Sequence, residues 1–322
     1  MSERIKVGAV CGAAPRPFWS VMIPTYNCQK FLAETLRSVI SQAPDASMME
    51  IWVVDDGSPE GSPEELVREI AGDRVKFHRH PKNLGHVKNF EFCLNQARGE
   101  VVHMLHGDDY VLPGFYSAHE KAYKENPEIG AAFCCSRQIR EAGEFVSNSP
   151  MVIGNTGVLP SDWVLELCVT NRLETPSITV KRSVYEKHDA FDSLYGWTED
   201  WEMWGRIAAS EPMYFIHDIL AVYRRVEVSN TSKRYRTGEN VTDFYNAGLK
   251  IQSYVADVPE AVTKEHQKHS AFCGIKVALL LFPQDIRGVY NNLKEAGKIL
   301  PFFTLTRFFY SLVTGTQSKD KG

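Results

Sequence analysis

The sequence has no basic surplus, no paired-cysteine spacing, no glycine-rich dinucleotide loop and no apolar run long enough to span a bilayer. Lys and Arg number 36 against 40 Asp and Glu, a net charge of -4 over 322 residues. A global positive field able to hold nucleic acid is therefore missing, and any bound phosphate must be met locally. The seven cysteines are an odd count without a C-x-x-C pair. The start of the chain lacks the charged, apolar and small-residue regions of a secretory signal, so a cytoplasmic protein is expected. The longest apolar stretches, Ala271 to Phe282 and Ile299 to Val313, are interrupted by Lys276 and by Pro301 with Arg307. Both fall short of the roughly 20 residues that a spanning helix needs. What remains, 43% hydrophobic and 24% charged, is a globular chain long enough for one large domain or two modest ones.

From residue 18 the apolar pattern alternates between two periods. Phe18 to Ile23 reads as a buried strand halted by Pro24, and Phe31, Leu32, Leu36, Val39 and Ile40 recur at helical spacing between Gln29 and Gln42. Ile51 to Val54 is a strand running into Asp55-Asp56-Gly57-Ser58, and Val101 to Leu105 is one ending at His106-Gly107-Asp108-Asp109. Between them Glu64 to Ala71 is helical, Val75 to Arg79 a strand, and Val87 to Ala97 helical. Such alternation predicts a parallel sheet with crossover helices on both faces. Sheets of that kind bind ligands at the C-terminal edge of their strands, the edge that the loops 24–27, 55–58 and 106–109 all leave.

After Asp109 the alternation weakens. The pattern predicts a helix from Leu112 to Asn126, a strand from Ile129 to Ser136, and an exposed loop or hairpin from Glu141 to Gly157. A helix over Trp163 to Val169, a strand over Ser177 to Lys181 and a helix over Trp201 to Ala209 follow, then short strands at Met213 to Ile216 and Leu220 to Arg224. From about Glu239 the chain reads as helices broken by Pro259, Pro283 and Pro301.

Four clusters carry chemistry. In Asp55-Asp56-Gly57-Ser58 a carboxylate at a strand end can accept the N3 hydrogen of a pyrimidine, while Gly57 lets backbone pass close; a plain Asx turn explains the same residues. Paired aspartates in His106-Gly107-Asp108-Asp109 suit a hard cation such as Mg2+ or Mn2+ that also grips a diphosphate, or else form a solvated acidic turn. Trp197-Thr198-Glu199-Asp200-Trp201-Glu202-Met203-Trp204 places carboxylates among tryptophans, as for a general base beside a sugar or as an acidic helix start over a core. Asn83-Leu84-Gly85-His86-Val87-Lys88-Asn89 opens a helix with groups suited to ribose or phosphate oxygens, or serves as a loop and N-cap. His78-x-His80 and His266-x-x-His269 have metal-like spacing without further ligands in sequence, and read as solvated faces.

Taken in order, Ile23-Pro24-Thr25-Tyr26-Asn27, Val54 to Ser58, Asn83-x-Gly85 with Asn89, Ala97-Arg98-Gly99-Glu100, Leu105 to Asp109 and Glu199-Asp200 resemble the inverting nucleotide-sugar glycosyltransferases of family two, over about Phe18 to Arg224. The resemblance implies an α/β GT-A fold, that is, a Rossmann-like, mostly parallel central sheet with helices on both faces, plus a C-terminal helical extension. It implies a catalytic domain over 1–225, with 18–109 binding nucleotide and 110–225 the acceptor, followed by a helical region over 226–322. Pro24, Thr25 and Tyr26 would line the base pocket and Asp56 contact the pyrimidine. Asn27, Asp55, Asn83, Gly85 and Lys88 or Asn89 would complete the nucleotide site. Asp109 would ligate Mn2+ or Mg2+, with Asp108 on the ribose, the sugar or the metal, and His106 stands where relatives often carry an Asp. Asp200 would be the catalytic base, with Glu199 orienting it or the acceptor.

The implied reaction moves a sugar from a UDP- or dTDP-sugar to a hydroxyl of a glycan or lipid-linked oligosaccharide in cell-surface polysaccharide synthesis. A degenerate protein that only binds nucleotide sugar or glycan is the non-enzymatic alternative. A sugar-phosphate nucleotidyltransferase would want a basic, Gly-rich loop where Pro24-Thr25-Tyr26-Asn27 stands. Phe302, Phe303, Leu305, Phe308, Phe309 and Leu312 with nearby basic residues make 298–313 an expected peripheral contact with the inner face of the cell membrane. Packing on the catalytic domain or in a homodimer explains the same residues.

Overall fold

The computed structural model describes residues 4–11, 15–226 and 230–301; residues 302–313 of the expected membrane contact lie outside them. By internal contacts the chain forms two units, one of 1–163, 172–194 and 206–226 and one of 164–171, 195–205 and 227–322.

The first unit is built on a ten-stranded sheet. Its first half follows the predicted order: β1 (Trp19–Thr25), α1 (Gln29–Ile40), β2 (Met49–Asp55), α2 (Pro63–Ala71), β3 (Lys76–Arg79), α3 (His86–Gln96) and β4 (Val101–Met104). β1 pairs in parallel with β2 and β4, and β2 with β3. Every residue of β1 and β4 is buried, as the near-continuous apolar runs of a parallel strand covered on both sides require. Pro24 does not halt β1. Its carbonyl accepts from Gly107 N on the β4 side, so its absent N–H would point where the β1–β4 ladder has already ended at Met22 and Met104.

Then come β5 (Tyr110–Val111), α4 (Phe115–Glu125), β6 (Ala131–Arg140), β7 (Phe145–Asn148), β8 (Gly157–Val158), α5 (Val164–Val169), β9 (Ile178–Lys181), α6 (Arg182–His188), α7 (Glu199–Ala208) and β10 (Met213–Arg225). The expected GT-A sheet, Rossmann-like and mostly parallel, is corrected here. The strand order is β3-β2-β1-β4-β9-β6-β10-β5, with β7 and β8 on β6 and β10. β9 runs antiparallel to both β4 and β6, and β5, β7 and β8 are antiparallel to their partners. Only β6 and β10 return to parallel pairing. The sheet is thus mixed, with flanking helices, and doubly wound parallel topology stops at β4. The two strands expected over 213–224 are one, β10, interrupted in register between Ile216 and Ala221.

One face of the sheet packs Trp19, Val21 and Ile23 against Leu32, Leu36 and Val39 of α1 and Phe115 and Tyr116 of α4. Beside α4 lies a polar seam buried at β4. The ring of His103 receives a hydrogen bond from Tyr116 Oη at Nδ1 (3.1 Å) and donates from Nε2 to the Pro176 carbonyl (3.1 Å), an arrangement that fixes the neutral tautomer. His119 Nδ1 meets Thr179 Oγ1 at 2.8 Å. Burial lowers the His103 pKa to about 3 and holds His119 well below its usual value. Both stay neutral in the fold while the unfolded chain protonates them below about pH 6.5, so stability is full above that pH and falls as pH drops toward 3. His103 should cost about 1.4 kcal/mol per pH unit in that window, and His119 adds a loss of the same sign. A urea midpoint that does not move between pH 7 and pH 5 would contradict this.

In the second unit α5 and α7 join α8 (Asn230–Thr237), α9 (Glu239–Gln252), α10 (Glu260–Leu281) and α11 (Ile286–Ile299). Buried Trp201 donates to the Leu167 carbonyl (2.9 Å) and lies 4.4 Å from the Phe244 ring. A buried apolar seam of Ala271, Ile275 and Ala296 joins α10 to α11. No helix among the described residues is long and apolar enough to cross a membrane.

Candidate active site

The strands β1, β2 and β4 run in parallel, so the loops after Thr25, Asp55 and Met104 leave one edge of the first unit. The two aspartates at the end of β2 divide their work. Buried Asp55 accepts from Ser58 N (3.0 Å) and Ser58 Oγ (2.5 Å), an Asx turn, and pairs with Arg79 Nε at 3.3 Å. Asp56 instead reaches across to the next loop, accepting from Leu84 N (2.7 Å) and Gly85 N (2.9 Å). Gly57 follows Asp56 at φ 68°, and a Cβ there would come within 2.8 Å of the Lys82 backbone. Left-handed backbone and this close approach both require glycine.

Around this junction Tyr26 is 46% exposed and Asn27, at φ 55°, donates its N–H to Ser58 Oγ. Asn83 Oδ1 accepts from Gly85 N, and Lys88 is exposed. Asn89 faces inward: it is buried and donates to the Val54 carbonyl at 3.0 Å, so it ties α3 to β2. Pro24, Thr25, Asn27, Asp55, Asp56, Asn83 and Gly85 are thus gathered on one junction, with Asn89 beneath it.

The loop after β4 is folded against the β1 end. Gly107 N donates to the Pro24 carbonyl, and a Cβ at Gly107 would lie 2.7 Å from Cys28 Sγ. From α1, buried Thr35 donates to the carbonyls of Gly107 (3.1 Å) and Asp109 (2.7 Å). His106, Asp108 and Asp109 each present a ligand atom within 4.8 Å of the others. Asp109 is 1% exposed; its Oδ1 accepts from Arg224 N (2.8 Å), while its buried Oδ2 has no hydrogen-bond partner among the described residues. Burial, then the neighbouring Asp108 charge, hold the Asp109 carboxyl well above the usual range, and burial with Asp108 pushes the Cys28 thiol up to about 12. A buried carboxylate oxygen left without a hydrogen bond beside a second carboxylate and an imidazole fits a divalent cation, which would satisfy and neutralise it. His106 does two things, stacking on Phe90 (5.2 Å between centroids) while its Nδ1 lies 3.8 Å from Asp109 Oδ2.

Sequence reasoning missed what holds this loop. Arg224, at the end of β10, is buried: its Nε donates to the Asp108 carbonyl (3.0 Å), Nη1 to the Glu141 carbonyl (3.1 Å) and Nη2 to Glu34 Oε2 (2.5 Å). Its guanidinium also lies over the Phe31 ring. Thr35 could have been found, because it falls on the apolar face marked by Leu32, Leu36 and Val39. Glu174, next to β9, is charge-coupled to Asp109 and accepts from Gln138 Nε2 at 2.5 Å; nothing local in sequence marks it.

Glu199 and Asp200 belong to the other unit, where they open α7. Glu199 is buried and raises the pKa of Asp243, which burial has already lifted most and Arg234 opposes. Asp200 is half-buried and its Oδ1 accepts from Trp201 N at 2.6 Å. Of the three tryptophans, Trp201 and Trp204 are core and Trp197 is half-buried, its ring roughly perpendicular to that of Tyr235.

Residues 20–178 match the sequence model of the family described as Glycosyl transferase family 2. An uncharacterized protein of Mycobacterium tuberculosis is 28% identical over 239 residues, 71% of this chain and 73% of that one. A further M. tuberculosis protein is 27% identical over 212 residues, and the match spans only 58% of its length. An uncharacterized glycosyltransferase of Haemophilus influenzae is 23% identical over 70% of this chain and 71% of its own. Among solved structures, S. aureus TarS 1-349 in complex with UDP superposes with a TM-score of 0.61 at 17% identity, over 94% of this chain and 93% of that one. Mannosyltransferase PcManGT from Pyrobaculum calidifontis, in complex with GDP-Man and Mn2+, gives 0.58 at 18% identity over 93% and 81%; at these identities the likeness is one of fold. Over the residues that build the β1, β2 and β4 loops, the chain is homologous to glycosyl transferase family 2.

Proposed function

We propose that this protein transfers a sugar from a uridine or thymidine diphosphate donor to a hydroxyl of a glycan or lipid-linked oligosaccharide, inverting the anomeric carbon, in cytoplasmic steps of cell-surface polysaccharide synthesis. The observation that carries the reading is the buried Oδ2 of Asp109, without a hydrogen-bond partner among the described residues, next to Asp108 and His106, on the sheet edge that also gathers the 55–58 and 82–85 loops. Two similar folds support it, TarS with UDP and PcManGT with GDP-Man and Mn2+.

On this reading Asp109, Asp108 and His106 hold Mn2+ or Mg2+, which when bound neutralises charge developing on the leaving diphosphate. Pro24, Thr25 and Tyr26 face the base, and Asp56, already oriented by two backbone N–H donors, accepts from the pyrimidine. Asp200 takes the proton of the attacking hydroxyl. Incubation with a panel of nucleotide sugars, Mn2+ and a crude lipid-linked or oligosaccharide acceptor should release free nucleoside diphosphate from at least one UDP- or dTDP-sugar. Binding of a donor, seen as a thermal shift, without consumption of any would overturn the catalytic reading.

A further inference from the structure

Helix α11 presents three faces. Gly288, Asn292 and Ala296 are buried. Ile286, Tyr290 and Leu293, at the i, i+4, i+7 spacing of a single stripe, are not: Ile286 is 59% exposed and Tyr290 64%. Immediately before them, Leu280 is 74% and Phe282 61% exposed, so residues 280–293 carry an unusual concentration of large apolar side chains in water. Along one flank of the stripe run exposed Arg287 and Lys294, seven residues apart and thus on a shared face. The acids of this helix are otherwise engaged: Asp285 caps its start through Gly288 N, and Glu295 pairs with Lys298 at 2.7 Å.

We propose that this face of α11, with the end of α10, rests on an anionic lipid surface. An apolar stripe with an aromatic residue and a basic flank is the pattern of a helix lying in the interface plane, its apolar side chains among the acyl chains and its cations at the headgroups. A helix lying in the interface plane makes the contact peripheral. Charge decides against a second copy of the chain, since a two-fold contact through this stripe would bring the Arg287 and Lys294 flanks of both copies into one interface, whereas anionic headgroups pair with all of them. The inference goes beyond sugar transfer and does not need it.

The test is sedimentation of the full chain with vesicles of phosphatidylcholine alone or with added phosphatidylglycerol, at roughly 0.1 M salt. The protein should pellet with the anionic vesicles only. Ile286→Ser with Tyr290→Ser should lower the bound-to-free ratio at least tenfold, since about two large side chains leave the interface. Arg287→Gln with Lys294→Gln should lower it by roughly tenfold or more, and both variants should melt like the parent. Failure to pellet with either vesicle, or pelleting indifferent to both double variants, would overturn the proposal. So would a dimer that the Ile286→Ser, Tyr290→Ser variant dissociates in a protein that ignores vesicles.

Discussion

Asp200→Asn should leave donor affinity unchanged and lower turnover by about 10²- to 10⁴-fold, the range a positioned general base supplies. The substitution isolates proton acceptance from structure. Asp200 Oδ1 accepts from Trp201 N at the start of α7, and an Asn oxygen can accept the same bond, so the helix start is preserved. What the amide cannot do is take a proton from a hydroxyl at neutral pH. Because the side chain is only half-buried, the exchange leaves no cavity and should change stability by less than about 1 kcal/mol. The measurement is a pair: turnover with a competent donor and acceptor, and calorimetric donor affinity with Mn2+ in both proteins. Near-normal turnover would remove Asp200 from the base role. Loss of donor binding together with turnover would mean that the residue supports the donor site instead. The parallel substitution Glu199→Gln tests orientation, since buried Glu199 acts electrostatically on Asp243 and its loss should reduce turnover less.

The first half of the fold is legible because its signals are local. β1, β2 and β4 are near-continuous apolar runs, β2 and β4 followed by turns at Gly57 and Gly107 and β1 running one residue past Pro24, and the intervening helices show their stripe; every element there falls within a few residues of its expected bounds. Strand direction is different. Whether Ile178–Lys181 runs with or against β4 is decided by pairing across roughly 80 residues, and nothing in its four-residue pattern encodes that choice. The βα rhythm predicts a parallel sheet only as far as it runs, and it ends at β4; past that point the expected mostly parallel GT-A sheet rests on the family resemblance, not on the local pattern. β10 was divided in sequence because exposed His217 and Asp218 interrupt its apolar run, but the strand crosses them through a register shift. The candidate site divides along the same line. Residue types and loop positions exposed Asp56, Asp108 and Asp109, yet the different uses of Asp55 and Asp56 depend on where the 82–85 loop lies. The clamp by Arg224 spans more than a hundred residues to reach Asp109, beyond the reach of any spacing rule.

Asp109→Asn should abolish metal-dependent donor binding while making the protein more stable, a pairing that no purely structural role would produce. Oδ1 of Asp109 accepts from Arg224 N, a bond that the Asn oxygen retains, so the clamp on the loop survives. Ala would leave that backbone N–H unpaired and confuse the result. Oδ2, buried without a hydrogen-bond partner among the described residues, becomes an amide and can no longer ligate a hard cation. At the same time the substitution removes a charge that burial and Asp108 both disfavour, and relief of that cost should contribute about 1 kcal/mol to the unliganded fold. For a unit of this size such a gain raises Tm by roughly 2–4 °C. Mn2+-dependent donor affinity should fall by at least about a hundredfold, since even outer-shell changes at metal sites cost 10- to 100-fold. Calorimetry with and without Mn2+ reads the affinity, and a thermal melt without metal reads the stability. Donor affinity that is the same in both proteins, with or without Mn2+, would remove the metal from Asp109. A lowered Tm would show that its carboxylate is a structural acceptor whose second oxygen the loop itself needs, and that strain at this junction is not held in reserve for a cation.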